Sequence, residues 1–375
     1  MPHEQTSNLC PSCGYPAHAG HAPKCAAVAG KENEIENQAE SAKTSKALAL
    51  IESVDGRVSA ETKPYKQFDP AKHERFLIQR GNLGDQEVVF KVGEAKDTET
   101  IKNESRNLRV IDGALVKAGA ELDVHFVRQV GEIYGNEEMV GLATEYLQDD
   151  PELKRNLTGA QKVDVIGRVI DNLRRLTVTD AVRESGLPTH DGGKIVRDAS
   201  YFLGELAKEG RIDPETATAL QEMFEQAATS LIAEEPTLVH GDAHGDNIFI
   251  KQADGGNLEV ALLDFEGLRI SNQYHDWSEI LNKSTFLKHV QQNRPELYDP
   301  IKKNVENMWL DAAVEFDEAV IIDHVTAGDP EKVRNFRLTR MYDMLTRIMN
   351  GRNSQSPMAQ ERVSLYLEQL KKAAE

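Results

Sequence analysis

Cysteine is nearly missing from this chain. There are three in 375 residues, Cys10, Cys13 and Cys25, and none beyond them. An odd set confined to one short stretch is no disulfide framework, and it points to a reducing, cytoplasmic setting. Long apolar runs are missing too. No stretch approaches the ~18 residues that a membrane helix needs, so no transmembrane helix is expected. The opening segment MPHEQTSNLCPSCGYP is polar and lacks the apolar core of a secretory signal. Positive charge is in deficit: 44 Lys+Arg stand against 62 Asp+Glu, a formal net charge of -18. Nucleic acid and anionic membrane both ask for a positive surface, so neither is expected as a partner. A local basic cleft for a nucleotide remains compatible with that balance. Repeats at solenoid periods and long low-complexity tracts are absent as well.

What is present falls into four zones. Residues 1–28 are rich in Cys, His, Gly and Pro. Residues 29–48 are polar and charged, as in a linker or an exposed helix. Residues 49–147 alternate strand-like and helix-like segments, and residues 148–375 read mostly as helix. In the third zone Glu74–Arg80 and Glu87–Val92 flank Gly81–Gln86, which predicts a β-hairpin. Ile101, Glu104, Leu108, Ile111 and Leu115 then recur at three- and four-residue steps, the mark of one helical face. Glu104 is an acid on that apolar stripe, and a carboxylate facing a core is costly unless a cation meets it. Val124–Arg128 and Met139–Leu147 read as strands. In the fourth zone helices are predicted around Val163–Leu173, Thr216–Glu234, Val333–Asn350 and Ala359–Ala374. A second hairpin is predicted from Asn247–Lys251 and Leu258–Leu263 around Ala253–Gly256.

The densest chemical signal is Leu238-Val-His-Gly-Asp-Ala-His-Gly-Asp-Asn-Ile-Phe-Ile250, followed after the hairpin by Leu262-Leu-Asp-Phe-Glu-Gly267. A hairpin brings its strand ends together, so Asp242, Asn247 and Asp264 would converge. Mg²⁺ takes hard oxygen ligands, few of them from protein, with phosphate and water supplying the rest. Asn247 and Asp264 suit that role. Asp242 would then be free to orient a hydroxyl and accept its proton.

HGDxxxxN paired with a strand-terminal DFE resembles the aminoglycoside phosphotransferase/choline kinase branch of the protein-kinase-like fold. The resemblance covers about 60 to 350. It implies a two-lobed α+β architecture, with a small antiparallel-sheet N-lobe over 49–147 and a mostly helical C-lobe over 148–375. It also implies that Lys91 holds the ATP phosphates and Glu104 pairs with Lys91. Glu145 and Leu147, in Thr144-Glu-Tyr-Leu147, would lie in the adenine hinge. His240 and Asp276 (in His275-Asp-Trp277) would support the catalytic loop, Asp276 in the place of the family's helix-capping aspartate. Glu266 stands where the choline kinase side carries an acid, giving either a further metal contact or a turn. The glycine-rich phosphate cover of that fold has no counterpart near Tyr65–Lys72. The implied reaction is Mg²⁺/ATP-dependent phosphorylation of a hydroxyl on a small molecule. The acid excess makes a cationic acceptor plausible, although a soluble acidic surface explains the same number.

Other readings of the residues exist. Lys91 alone could be a solvated strand lysine, Asp242 could close a turn and Asp276 could be an ordinary helix cap. Asp242-Ala-His-Gly245 also resembles the first metal motif of calcineurin-like metallophosphoesterases. The later Gly-Asn-His segment of those enzymes is not found, which disfavours that class. A nucleotide-binding regulatory protein of the same fold, with little turnover, is the second expectation. Finally, Cys10, Cys13, His21 and Cys25 form a C-x2-C-x7-H-x3-C run suited to tetrahedral structural zinc, with His18 as a rival ligand. So short a segment would draw most of its stability from the metal.

Overall fold

The computed structural model describes residues 41–58, 75–118, 122–253, 255–302 and 318–375. Within these the chain forms two compact units. The first takes the described residues up to Lys102 together with Gln129–Tyr146, and the second takes Asn103–Arg128 and Leu147–Glu375. The division is therefore not one cut near residue 147, because Asn103–Arg128 joins the second unit.

The first unit contains a helix over 41–53 and an antiparallel sheet. Its strands are β1 (Gly56–Arg57), β2 (Leu77–Leu83), β3 (Gln86–Glu94), β5 (Gln129–Gly135) and β6 (Met139–Glu145), in the order β1-β2-β3-β6-β5. The sequence predicts the β2–β3 hairpin, but with a six-residue loop. The strands instead run through Gly81–Leu83, and only Gly84 and Asp85 turn the chain. Gly84 has φ 58°, a conformation that costs other residues about 1–2 kcal/mol. Gly81 is needed for space instead. A Cβ there would lie 2.9 Å from the Phe90 ring and still closer to the Arg57 carbonyl. Alternation along β3 sorts its side chains onto two faces. Val88, Phe90 and Val92 join Ile51, Leu77 and Met139 in one core cluster. Phe76, Ile101, Val140 and Leu142 form another. Strand β5 is not legible in the sequence, since its residues are half-buried or exposed and show no alternation.

The second unit holds two three-stranded sheets and most of the helices. One sheet is β4-β10-β9, from Val124–Phe126, Leu258–Leu262 and Ile248–Gln252. The segment read as a lobe strand at Val124 thus pairs parallel with β10, in this unit. The other sheet is β7-β11-β8, from Thr189–His190, Arg269–Ser271 and Thr237–Val239. Helix α1 (Thr98–Ala118), whose residues from Asn103 on belong to this unit, follows the predicted stripe, with Ile101, Leu108 and Ile111 buried. Helices α2 (Gly159–Thr177), α3 (Gly192–Lys208), α4 (Pro214–Gln226), α5 (His275–Asn293), α6 (Pro330–Gly351) and α7 (Pro357–Ala374) supply most of the rest. Side chains close several N-termini: Thr158 and Gln161 form a capping box on α2, and Asp191, Asp213 and Asp329 cap α3, α4 and α6. The single helix predicted over Thr216–Glu234 is two, interrupted at Ala227. One apolar core runs through the unit, including Val163, Ile166, Leu173, Leu203, Phe265, Trp277, Phe336 and Tyr366. No helix among the described residues is long and apolar enough to cross a membrane.

Candidate active site

The HGD loop leaves β8 and enters a short turn at Gly245–Asn247 before β9. Gly241 has φ 82°, and a Cβ on it would lie 2.6 Å from the Gly267 carbonyl. Glycine is therefore required by both conformation and space. The loop is pinned by side chains rather than by sheet pairing. Asp276 is 1% exposed. Its carboxylate accepts hydrogen bonds from the backbone N–H of His240 (2.9 Å) and of Gly241 (2.8 Å). Asp276 lies inside the first turn of α5, and this carboxylate is spent on the loop instead of capping its own helix. His240 is fully buried. Its Nδ1 accepts from the Asp242 N–H (3.2 Å), so its Nε2 carries the hydrogen and donates to the Leu263 carbonyl at 2.8 Å. Phe265 packs edge-on against the same ring, and Asn107 holds the Phe265 carbonyl at 2.7 Å.

This stitching ties the loop to the end of the β9–β10 hairpin. Ile248 pairs with Leu262, and the Leu263 N–H continues the ladder to the Asn247 carbonyl at 2.9 Å. Asp264 is the next residue, so Asn247 and Asp264 lie at the same hairpin end. Asp264 is left-handed, with φ 60° and ψ 71°, a conformation non-glycine residues keep only where their surroundings force it. The Asn247 amide nitrogen donates to the Asp242 carbonyl at 2.9 Å. That commits its donor end and leaves its carbonyl oxygen as the end able to meet a cation. An amide oxygen and a carboxylate are the hard donors Mg²⁺ takes, so these two residues fit that ion. Glu266 is exposed in the turn after Asp264, while Phe265 points into the core.

The Asp242 carboxylate keeps 43% of its side-chain surface accessible. Lys283 Nζ contacts its Oδ1, and His244 Nε2 lies 3.2 Å from its Oδ2. His244 Nδ1 accepts from the Asp246 N–H, which puts its hydrogen on Nε2, facing Asp242. Burial opposes the charge on Asp242, but the His244 hydrogen bond and the Lys283 ammonium outweigh it and hold the carboxyl well below the usual range. Lys283 also meets Glu279 at 3.1 Å, and Glu279 meets Arg347 at 2.7 Å. Arg347 in turn pairs with Asp343 at 2.8 Å. Sequence reasoning missed Lys283. Its only signal is position: it follows Asp276 by two helical turns, on the same face of α5.

The first unit carries two of the other predicted residues. Lys91 is buried on β3, with Nζ 4.9 Å from the centre of the Phe76 ring. Glu145 ends β6 and pairs in register with Val88, three residues before Lys91. The next residue, Tyr146, donates its N–H to the Glu87 carbonyl at 3.2 Å. Leu147 belongs to the second unit, partly buried against its core. Glu104 is also in the second unit, 4% exposed on α1. The predicted zinc ligands Cys10, Cys13, His21 and Cys25, and the segment Tyr65–Lys72, lie outside the described residues. Among the described residues, no group of three or more His, Cys, Asp or Glu is placed to hold a metal ion.

Residues 65–300, more than half of the chain, match the family described as the phosphotransferase enzyme family. Solved structures share the fold at low identity. The GDP complex of wild-type aminoglycoside 2'-phosphotransferase-IIIa matches with TM-score 0.52 and 15% identity, covering 89% of this chain and 99% of that one. The ADP-bound aminoglycoside phosphotransferase APH(2'')-Ib matches with TM-score 0.52 and 14% identity, covering 86% and 96%. The GDP and kanamycin complex of a related aminoglycoside phosphotransferase gives 0.50 and 16%, covering 87% and 98%. No curated protein matches the chain.

Proposed function

This chain belongs to the phosphotransferase enzyme family, and we propose that it transfers the terminal phosphoryl group of ATP to a hydroxyl of a small molecule. The observation that carries the reading is the double brace on Asp242. Asp276 holds the backbone before it, and His240 ties it to the strand end that precedes Asp264. A carboxylate held in place by these braces, and kept ionised by His244 and Lys283, can orient the acceptor hydroxyl and take its proton. Asn247 and Asp264 would hold Mg²⁺, which when bound with ATP neutralises phosphate charge. Lys91 would bind the ATP phosphates and Glu104 would position Lys91. Glu145 and Leu147 would border the adenine, and Glu266 would add a metal contact. In such a reaction the protein contributes mainly positioning and charge stabilisation.

A specific observation favours a second reading. Lys283 and His244 occupy both oxygens of Asp242, as suits a nucleotide-binding protein with little turnover. ATP consumption with a panel of neutral, cationic and anionic hydroxyl compounds separates the two. The proposal expects consumption with at least one acceptor and a loss of about 10²–10⁴-fold in Asp242→Asn, the usual worth of a general base. Binding of ATP with Mg²⁺ but no consumption by the wild type would favour the second reading. We also propose a structural zinc at Cys10, Cys13, His21 and Cys25, on sequence spacing alone. One zinc per purified chain, lost in Cys10→Ser, is the expected result of metal analysis; a content near zero would end that claim.

A further inference from the structure

The charge balance of the whole chain is compatible with a cationic acceptor, but the groups beside the catalytic loop point the other way. Arg269 starts β11, directly opposite Val239 at the end of β8. Its Nη1 donates to the Gly267 carbonyl at 2.9 Å, and the same nitrogen closes off the space beside Gly241. Among the described residues Arg269 has no ion pair with a carboxylate; its other terminal nitrogen rests on His275 Nε2. A half-buried guanidinium without a counter-ion is costly, and nearly all such groups are paired.

Several buried side chains on the segment that runs from Arg269 into α5 are donors with a hydrogen to spare among the described residues. His275 Nε2 faces an arginine N–H and must accept, so the ring hydrogen sits on Nδ1, which is buried without a partner. Asn272 spends its oxygen on the Tyr274 N–H, and its Nδ2 is buried without a partner. The Ser278 hydroxyl and Arg269 Nε also have no partner among the described residues. Asn272, His275 and Ser278 are each at most 4% exposed. Ser271 and His190 pair across β11 and β7, which brings His190 to the same region. Burial first, and then the charge of Arg269, push His190 down to about 4. Glu279 Oε2 is an acceptor without a partner among the described residues, on a carboxylate whose other oxygen already carries Lys283 and Arg347.

We infer that Arg269 is a specificity-determining residue that takes an anionic group, a carboxylate or a phosphate, of the hydroxyl acceptor. That the anion belongs to an acceptor rests on the phosphotransferase reading; the anion site itself does not. Lys283, in contact with Asp242, works in the same direction. It places a second cation where an amine-bearing acceptor would have to approach.

The test is calorimetric titration of the full-length chain with ADP and Mg²⁺ present, so that the nucleotide phosphate site is filled. The probes are malate, glycerol 3-phosphate, glycerol and choline. At least one of the two anions should bind about 10-fold or more tighter than glycerol and choline, as expected when charge-assisted hydrogen bonds are gained. Arg269→Gln should lose about 10–100-fold in that affinity while glycerol and choline change little. Arg269→Lys, which keeps the charge without the fork, should lose less and serves as the folded control. Binding of malate alone would identify a carboxylate, and of glycerol 3-phosphate alone a phosphate. The inference is overturned if choline binds as tightly as both anions, or if Arg269→Gln binds them unchanged. ATP consumption with the same probes keeps the two readings apart. Arg269-dependent anion binding with no consumption counts against phosphoryl transfer and leaves the anion site. Consumption with choline alone does the reverse.

Discussion

Lys91 and Asp242 are the two charged side chains on which the proposed reaction leans hardest, and the molecule holds them in unlike ways. Lys91 is placed by backbone pairing. Strand β3 is hydrogen-bonded on both sides, to β2 and to β6, and register sets which face Lys91 occupies. Its ammonium lies over the Phe76 ring. Asp242 sits in a loop, where backbone pairing ends. Its place depends on Asp276, His240 and Asn247, three buried or nearly buried side chains that hydrogen-bond to the loop backbone or to the strand end beside it. A strand carries a functional group with redundancy, because many ladder bonds share the work. A braced loop concentrates the same work in a few polar groups, each expensive to lose.

Paired substitutions would break or sharpen that contrast. The larger effect belongs to the loop. Asp276→Ala removes the acceptor for two backbone N–H groups, one buried and one half-buried. It should cost about 3 kcal/mol of stability and most of the turnover. Phe76→Leu, beside Lys91, keeps the strand ladder intact and should cost about 1 kcal/mol with turnover largely retained. Thermal melts and single-turnover rates on the two variants measure the difference; equal losses would remove the distinction between strand and loop.

A smaller effect is expected from Lys283→Met. The Asp242 carboxyl is depressed in the folded chain, so the stability it adds is present above its unfolded value and is lost as pH falls through the folded one. Removing Lys283 takes away one of the two groups that depress it. The folded value should rise toward the ordinary carboxylate range, and the acid limb of both stability and turnover should move to higher pH. A titration of the Asp242 carboxyl by NMR reads this without turnover, and an unmoved midpoint would mean that Lys283 does not set its charge.

Much of this arrangement is legible in the sequence, and what is not has a common cause. Both hairpins, the amphipathic stretch of α1 and the helices ending the chain follow from apolar periodicity and turn residues, which are local properties. The convergence of Asn247 and Asp264 follows from hairpin pairing, which is nearly local. Strand β5 gives no such signal, because its exposed side chains leave no alternation. The parallel pairing of β4 with β10 joins residues more than a hundred positions apart, and no local signal records it. The place of Glu266 after Asp-Phe suggests either a metal contact or a turn, and the turn exposes it while Phe265 goes inward.

The sequence by itself determined which groups could do chemistry: an ordered set of His240, Asp242, Asn247 and Asp264, and an Asp276 able to brace them. Only the tertiary structure decided what those groups face. It set Lys283 and His244 on the two oxygens of Asp242, and it left Arg269 beside Gly241 without a counter-ion among the described residues. The physical reason is that electrostatic surroundings depend on distance in space. The chain's net charge of -18 is a sum over residues, and a sum over residues does not report which few of them stand within a few ångströms of one carboxylate.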